Sequence, residues 1–462
     1  MAKDESYDTA GRAAGSRLNP AAFAWSAPLA VTTALGLALT TSLALTTVLA
    51  PPPLAAQQAG RQQAQEAALE RARAELRDAL TRPTTQAATG HIDSARAAAA
   101  ELLARIGGIE SPSGAEQDRA AAVAERMHAI GLDSVRVTSD PNAIGVLPGR
   151  SGRALVFVST LDDLATVAEH QRAAASGPRV EGSRVVGPGT NTSLTTVAML
   201  TAAEALIAAG VQPEHDLIFA AVAQEETGLR GMKALYEQYR DRADAFVDIL
   251  GDGHSIAYGA LGLHWWRVEA EGPPGHTLNG ALPNVNQGIA RAVDRILSLP
   301  WAALDDESRT RMNVSILSSG AVFNHKPETG WFSLDLRSME AETLDEMEAA
   351  VREILESVSA ETRTTLRMEP FQLTPGGRIP GALESALVNT SRAVSEHLGY
   401  TAQLSEAGSA NLNVAIGAGT PAIGLGGSRG GDRGEPTEWA DVDALVRTAH
   451  HVMLLGVVLG GR

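Results

Sequence analysis

A chain of 462 residues with 44% hydrophobic content is long enough for two domains, because single cores stop growing near roughly 250–300 residues. The formal net charge of −16 and the lack of any basic segment exclude a nucleic-acid footprint, since phosphate binding needs a basic face. With no cysteine present, disulfides, thiolate sites and a lipoprotein anchor are excluded, and a metal would need His, Asp or Glu ligands.

Residues 29–50, LAVTTALGLALTTSLALTTVLA, carry no charge over 22 positions, close to the ~20 that span a bilayer core. Lys3, Arg12 and Arg17 precede them and PPPLAAQQA follows. Residues 1–56 therefore predict a signal peptide or an N-terminal membrane anchor, with the globular part outside the cytoplasm: secreted, periplasmic or membrane-anchored. Residues 57–88 read as an exposed helical stalk, with Leu69, Leu76 and Leu80 at helical spacing and Pro83 at its end.

From His91 the pattern is globular. Helices over 92–106 and 115–130 flank a turn at ESPSGAE, and strands follow at 133–138, 142–147 and 154–159; the last, ALVFVS, is a continuous apolar run suited to a strand buried on both faces. Helix 193–210, strand 216–222, helix 228–240 and strand 245–250 continue the βαβα rhythm of a mostly parallel sheet covered by helices. After Gly262 the texture changes. HWWRVEAEG alternates, a helix covers 284–298, RMNVSILSSG and TGWFSLDLRS read as strands, a helix covers 341–360, and TTLRMEP is a last strand, giving the β-α-β-β-α-β order of a split βαβ unit. The predicted fold is an α/β domain made of 89–262 and 371–462, interrupted by an inserted α+β domain over 263–370. Helix 382–398, strand PAIGLG and helix 440–457 complete the first domain.

AQEETGLRG places Glu225 and Glu226 side by side where a strand ends and a helix begins. Metal hydrolases use such a pair, one carboxylate binding an ion and its neighbour taking a proton from the metal-bound water. A solvated pair at a helix N-terminus, where negative charge is favourable, has the same pattern.

Taken in order, several stretches resemble the glutamate carboxypeptidase and aminoacylase family of zinc peptidases. These are ESPSGAE (110–116), PNAIGVLPG (141–149), AQEETGLRG, AYGALGLHWWRVEAEGPPGHT (257–277), LDLRS (334–338) and GTPAIGLGG (419–427). The resemblance runs from about His91 to Gly460 and implies a catalytic α/β domain with an inserted lid or dimerisation domain, two zinc ions, a peptide or N-acyl amino acid as substrate, and a homodimer. It makes Glu225 the general base and Glu226 a metal ligand. In the lid it makes Arg337 the arginine that holds a substrate carboxylate, Asn324 the lid asparagine, and His276 the histidine that stabilises the oxyanion. Gly426 and Gly427 belong to the glycine loop that can present N–H groups to a ligand.

The other metal positions depart from the family. Its His-x-Asp is Thr160-Leu161-Asp162 here, so Asp162 is kept among the catalytic residues and the histidine is lost. The bridging aspartate falls on Asn191 or Thr192, and the final histidine falls on Gly434 beside Arg433. The acid after the strand AFVDILGDG falls near Leu250, with Asp248 and Asp252 as substitutes, and Asp252, His254 and Glu226 are candidates for a single-ion site. Two functions follow. One is an exported metallopeptidase or amidohydrolase with Glu225 as base; the other is a metal-free relative that binds peptides or acts as a scaffold at the cell surface.

Overall fold

The computed structural model describes residues 54–280, 283–302 and 309–461. The predicted signal or anchor segment lies outside the described residues. The central element is an eight-stranded sheet in the order Asp133–Val137, Ala143–Leu147, Asp216–Val222, Ala154–Thr160, Ala243–Ile249, Ala422–Gly426, Ser255–Ala257 and Gln403–Ser405. Its four middle strands run parallel. ALVFVS is fully buried because both faces are covered. Leu155 and Phe157 enter the core on one side, where helices α2 (Pro83–Gly107), α5 (Thr190–Ala208) and α11 (Val442–Leu459) pack. Val156 and Val158 enter the other, against α6 (Arg230–Tyr239) and α10 (Leu412–Gly417). Each fully buried side chain of this size contributes about 1.5–3 kcal/mol.

Residues 262–374 form a second sheet with its own core. Strands Arg311–Asn313, Thr329–Ser338, Gly262–Glu271 and Thr365–Thr374 lie in that order, all antiparallel, and Leu317–Ser319 also pairs with Thr329–Ser338. Helices α7 (Val285–Ile296) and α8 (Ala341–Thr362) cover one face and bury Val268, Phe332, Leu334 and Leu336.

The N-terminal helices depart from the sequence reading. Helix α1 (Leu54–Thr81) is not an exposed stalk: Leu69, Leu76 and Ala79 are buried in the main core, and the Arg73 guanidinium forks onto both oxygens of Glu396 at 2.7 Å on α9 (Ala386–His397). The buried stripe is largely alanine, so its apolar side contrasts weakly with the Gln, Glu and Arg around it. Pro83 begins α2 rather than ending α1's path, because a proline at the first helical position loses no hydrogen bond. Helices α3 (Gln117–Ala129) and α4 (Ala165–Ala173) complete the set. Leu76→Ala is expected to cost about 2–3 kcal/mol in denaturant unfolding; a stalk held in solvent would show no change.

Candidate active site

Parallel register brings three strand ends together. Thr160 is level with Val222, and Val158 with Asp248, so the segments after these strands meet in one crevice at the carboxyl edge of the sheet, where ligands bind in open α/β sheets. Asp162 is fully buried there. Its Oδ1 accepts the Glu225 amide at 2.8 Å, and its Oδ2 accepts the Glu226 amide at 3.1 Å and the Ser113 hydroxyl at 2.5 Å. Glu116, also buried, accepts the amides of Gly114 at 2.7 Å and Gln224 at 3.1 Å. Gln224 takes a positive φ of 55°, which turns the chain so that two consecutive amides face one carboxylate. Asp162 is thus a positioning residue for the glutamate pair.

Behind this turn, Arg119 and Asp163 form a buried ion pair at 2.7 Å, and Arg119 also donates to the carbonyl of Leu161 at 2.8 Å. Glu438, buried and unmarked by the sequence reading, accepts the amides of Gly189 and Asn191 at the start of α5 and that of Gly434. A carboxylate suits a helix N-terminus. On the solvent side, Arg433 Nη2 donates to Glu226 Oε1 at 2.6 Å. Arg429, missed from the sequence, lies in the fields of Glu225, Glu226 and Glu438; burial and Arg433 pull its guanidinium down to about 10. Two arginines among the glycines of GGSRGGDRGE were the available signal.

Part of Glu225 faces the cleft, but the surrounding protein removes most of its hydration. That loss, with the negative charges of Glu226, Asp162 and Asp248, pushes its carboxyl up to about 8. Asp248 is buried and raised to about 7 by lost hydration, although it accepts the Leu412 amide at 3.0 Å and the Asn411 side-chain amide at 3.4 Å.

The acid pair lines a cleft of about 580 Å³ that Leu263, Trp265 and Gln372 of the second sheet close from the other side. The remaining predicted site residues are elsewhere. Asp252 is not at the acid pair's service: it is buried, with Oδ2 on Arg447 at 3.0 Å and Oδ1 on the Ser428 amide at 3.0 Å and His254 at 2.8 Å, and His254 stacks on Tyr400. Gly426 is paired within its strand against Ser255, and a side chain at Gly426 or Gly427 would overlap Ser255 or Asp252, so these glycines serve close packing. Arg337 places its Nε on both oxygens of Asp335, at 3.0 and 3.2 Å, and not on the cleft. His276 and Asn324 do meet, at a short solvent-facing two-stranded ladder of Gly275–His276 with His325–Lys326, away from the cleft lining. His276 Nδ1 accepts the Leu278 amide at 3.1 Å, and the Asn324 side-chain amide nitrogen lies 3.0 Å from His276 Nε2.

A mostly parallel sheet, an acid pair at its carboxyl edge and a small antiparallel sheet closing the cleft define a two-part α/β class with its site between the sheets. The sequence confirms the class: residues 163–455 match the profile of peptidase family M20/M25/M40, and the chain belongs to this family of metal-dependent peptide and amide hydrolases. Among solved structures, aminopeptidase PepT from Bacillus cereus is 19% identical with a TM-score of 0.65, over 79% of this chain and 98% of that one. Human carnosine dipeptidase 1 is 12% identical with a TM-score of 0.59, over 81% and 99%. The Bacillus subtilis YXEP protein, described as a dinuclear metal binding peptidase, is 12% identical with a TM-score of 0.58, over 79% and 99%. At these identities the likeness is one of fold. Comparison with curated proteins gives no match.

The residues present do not fit a dinuclear centre. Thr160 offers a hydroxyl already bonded to Asn411 at 3.2 Å, Asn191 is neutral, Gly434 has no side chain, and both Asp248 oxygens hold the start of α10. No three His, Asp or Glu side chains converge on a cation position among the described residues. An ion on Glu226 would also face Arg433: a double charge ~4 Å from a guanidinium meets about 8 kcal/mol of repulsion at an effective dielectric of ~20.

The raised carboxyls predict an unusual pH dependence. Glu225, near 4.5 when unfolded and about 8 when folded, keeps a proton that the unfolded chain releases. Stability from this group is therefore full below its unfolded value and is lost as pH rises through about 8, and Asp248 adds the same trend up to about 7. Melting temperature is expected to fall between pH 5 and 8.5 on the order of several degrees, and Glu225→Gln to flatten that slope.

Proposed function

We propose that this chain is a non-hydrolytic member of its family that binds a peptide or N-acyl amino acid in the cleft between the two sheets, outside the cytoplasm, and that it pairs as a homodimer through the inserted domain. The observation that carries the reading is the ion pair of Glu226 with Arg433 at 2.6 Å: the carboxylate of the motif best suited to hold zinc is matched to a cation of the protein itself. The exchange of the other ligand positions for Thr160, Asn191 or Thr192, and Gly434 supports it. The apolar run over 29–50 supports export. The cleft offers the chemistry of a binding site, with Trp265, Leu263 and Leu229 as apolar walls and Ser113, Gln372 and Thr374 as polar contacts.

One observation favours the hydrolytic reading. A Glu225 carboxyl near 8 could exchange a proton at neutral pH, as a general base must. Asp162 would then position that base through its two amide contacts.

Metal analysis of the purified chain separates the two. We expect far less than one equivalent of zinc, manganese or cobalt per chain, dipeptide and N-acyl amino acid hydrolysis at background, no effect of chelators, and peptide binding that Glu225→Gln leaves within about threefold. About two equivalents of metal, with hydrolysis that chelation and Glu225→Gln both abolish, would overturn the reading.

A further inference from the structure

We infer that Arg433 is a built-in cation that does the structural work of an ion in this cleft and keeps divalent metal out of it. The inference rests on the metal-free reading above.

The Arg433–Glu226 contact is part of a constructed loop, not a chance meeting of two surface side chains. The segment from Ser428 to Gly434 is tied down along its length. The Ser428 amide donates to buried Asp252 at 3.0 Å, the Arg429 carbonyl accepts the Asp441 amide at 2.8 Å, and the Gly434 amide donates to buried Glu438 at 3.1 Å. Between these ties, Asp432 holds a positive φ of 55° and accepts the Thr437 hydroxyl at 3.1 Å. Gly430 packs so tightly on Trp439 that a side chain would overlap its carbonyl. A loop fixed at these points gives Arg433 a short, directed reach to Glu226.

The partner is fixed as firmly. Glu226 is anchored through its own amide to Asp162 at 3.1 Å. The backbones at both ends of the ion pair are therefore held before it forms, which places the two side chains within reach of each other although both stay partly open to solvent. A guanidinium can fill this role because it offers several N–H donors in a plane and keeps its charge when partly buried. A divalent ion on the same carboxylate would meet its repulsion. Removing the guanidinium should leave Glu226 without its ion-pair partner beside Glu225, and open to a hard or borderline divalent ion.

The test compares the full chain with Arg433→Met, Arg433→Lys, Glu226→Gln and the double variant Glu226→Gln/Arg433→Met, each melted with EDTA and with millimolar Mn²⁺ or Zn²⁺. We expect Arg433→Met and Glu226→Gln each to lower the melting temperature, and the double variant to lower it by clearly less than their sum. Arg433→Met alone should regain roughly 3 °C or more with Mn²⁺ or Zn²⁺. The parent, Arg433→Lys and the double variant should not respond. Additive losses with no metal response in Arg433→Met would overturn the inference while leaving the metal-free reading intact. A parent that itself responds to Mn²⁺ or Zn²⁺ would overturn both. If Arg433→Met fails to fold, a metal response in Arg433→Lys overturns the inference, and parent-like behaviour in Arg433→Lys with recovery in the double variant supports it.

Discussion

One buried carboxylate organises the cleft. Asp162 has no side-chain cation of its own; its charge is met by two consecutive backbone amides and a serine hydroxyl. This ties three segments distant in sequence, 111–116, 160–163 and 223–226, into one turn, and it orients both glutamates before any ligand arrives. Carboxylates that accept several amide bonds in a dry setting are costly to replace, since a neutral acceptor leaves donors unmet. The position is therefore structurally useful whether or not the site carries out chemistry.

The same crevice shows how a site can change character while its backbone stays fixed. Glu225, Glu226, Asp248 and Glu438 crowd one region, and such crowding is tolerated only with compensating charge. Two divalent ions would supply it in a dinuclear enzyme. Here two guanidiniums supply less, and protons make up part of the difference: burial holds Glu225, Asp248 and Glu438 above their ordinary values, with like charge adding to it at Glu225 and Glu438. The amides at the start of α5 provide a further positive end for Glu438.

Much of the scaffold was legible in the sequence because its signals are local. ALVFVS and LIFAAV announce strands buried on both faces, and the alternation of HWWRVEAEG announces the second sheet. What escaped is built from weak or non-local signals. The small four-stranded sheet joining Arg179–Glu181, Arg184–Val186, Gly430–Gly431 and Trp439–Asp441 uses strands of two or three residues with no periodicity to read. Helix α1 hides its buried face among alanines. The acids of the site were legible as residue types, and Arg433 was visible beside Gly434, but its pairing with Glu226 and the presence of Arg429 were not. Whether Asp252 or Asp248 joins the cluster depends on which carboxylate Arg447 claims, and Arg429 depends on the direction in which a glycine-rich loop aims its side chains.

The packing of α1 bears on how the polypeptide reaches its native shape. Its contacts with α9 and α11 join residues near one end of the described chain to residues more than 300 positions later, as in the pairing of Arg73 with Glu396. These contacts close only after almost the whole sequence is available, and loop closure over such a span is slow compared with local helix formation. Until then Leu69 and Leu76 remain uncovered on a helix that leads directly from the hydrophobic segment. A nascent chain in this state presents an apolar stripe to its surroundings until its C-terminal helices arrive to cover it.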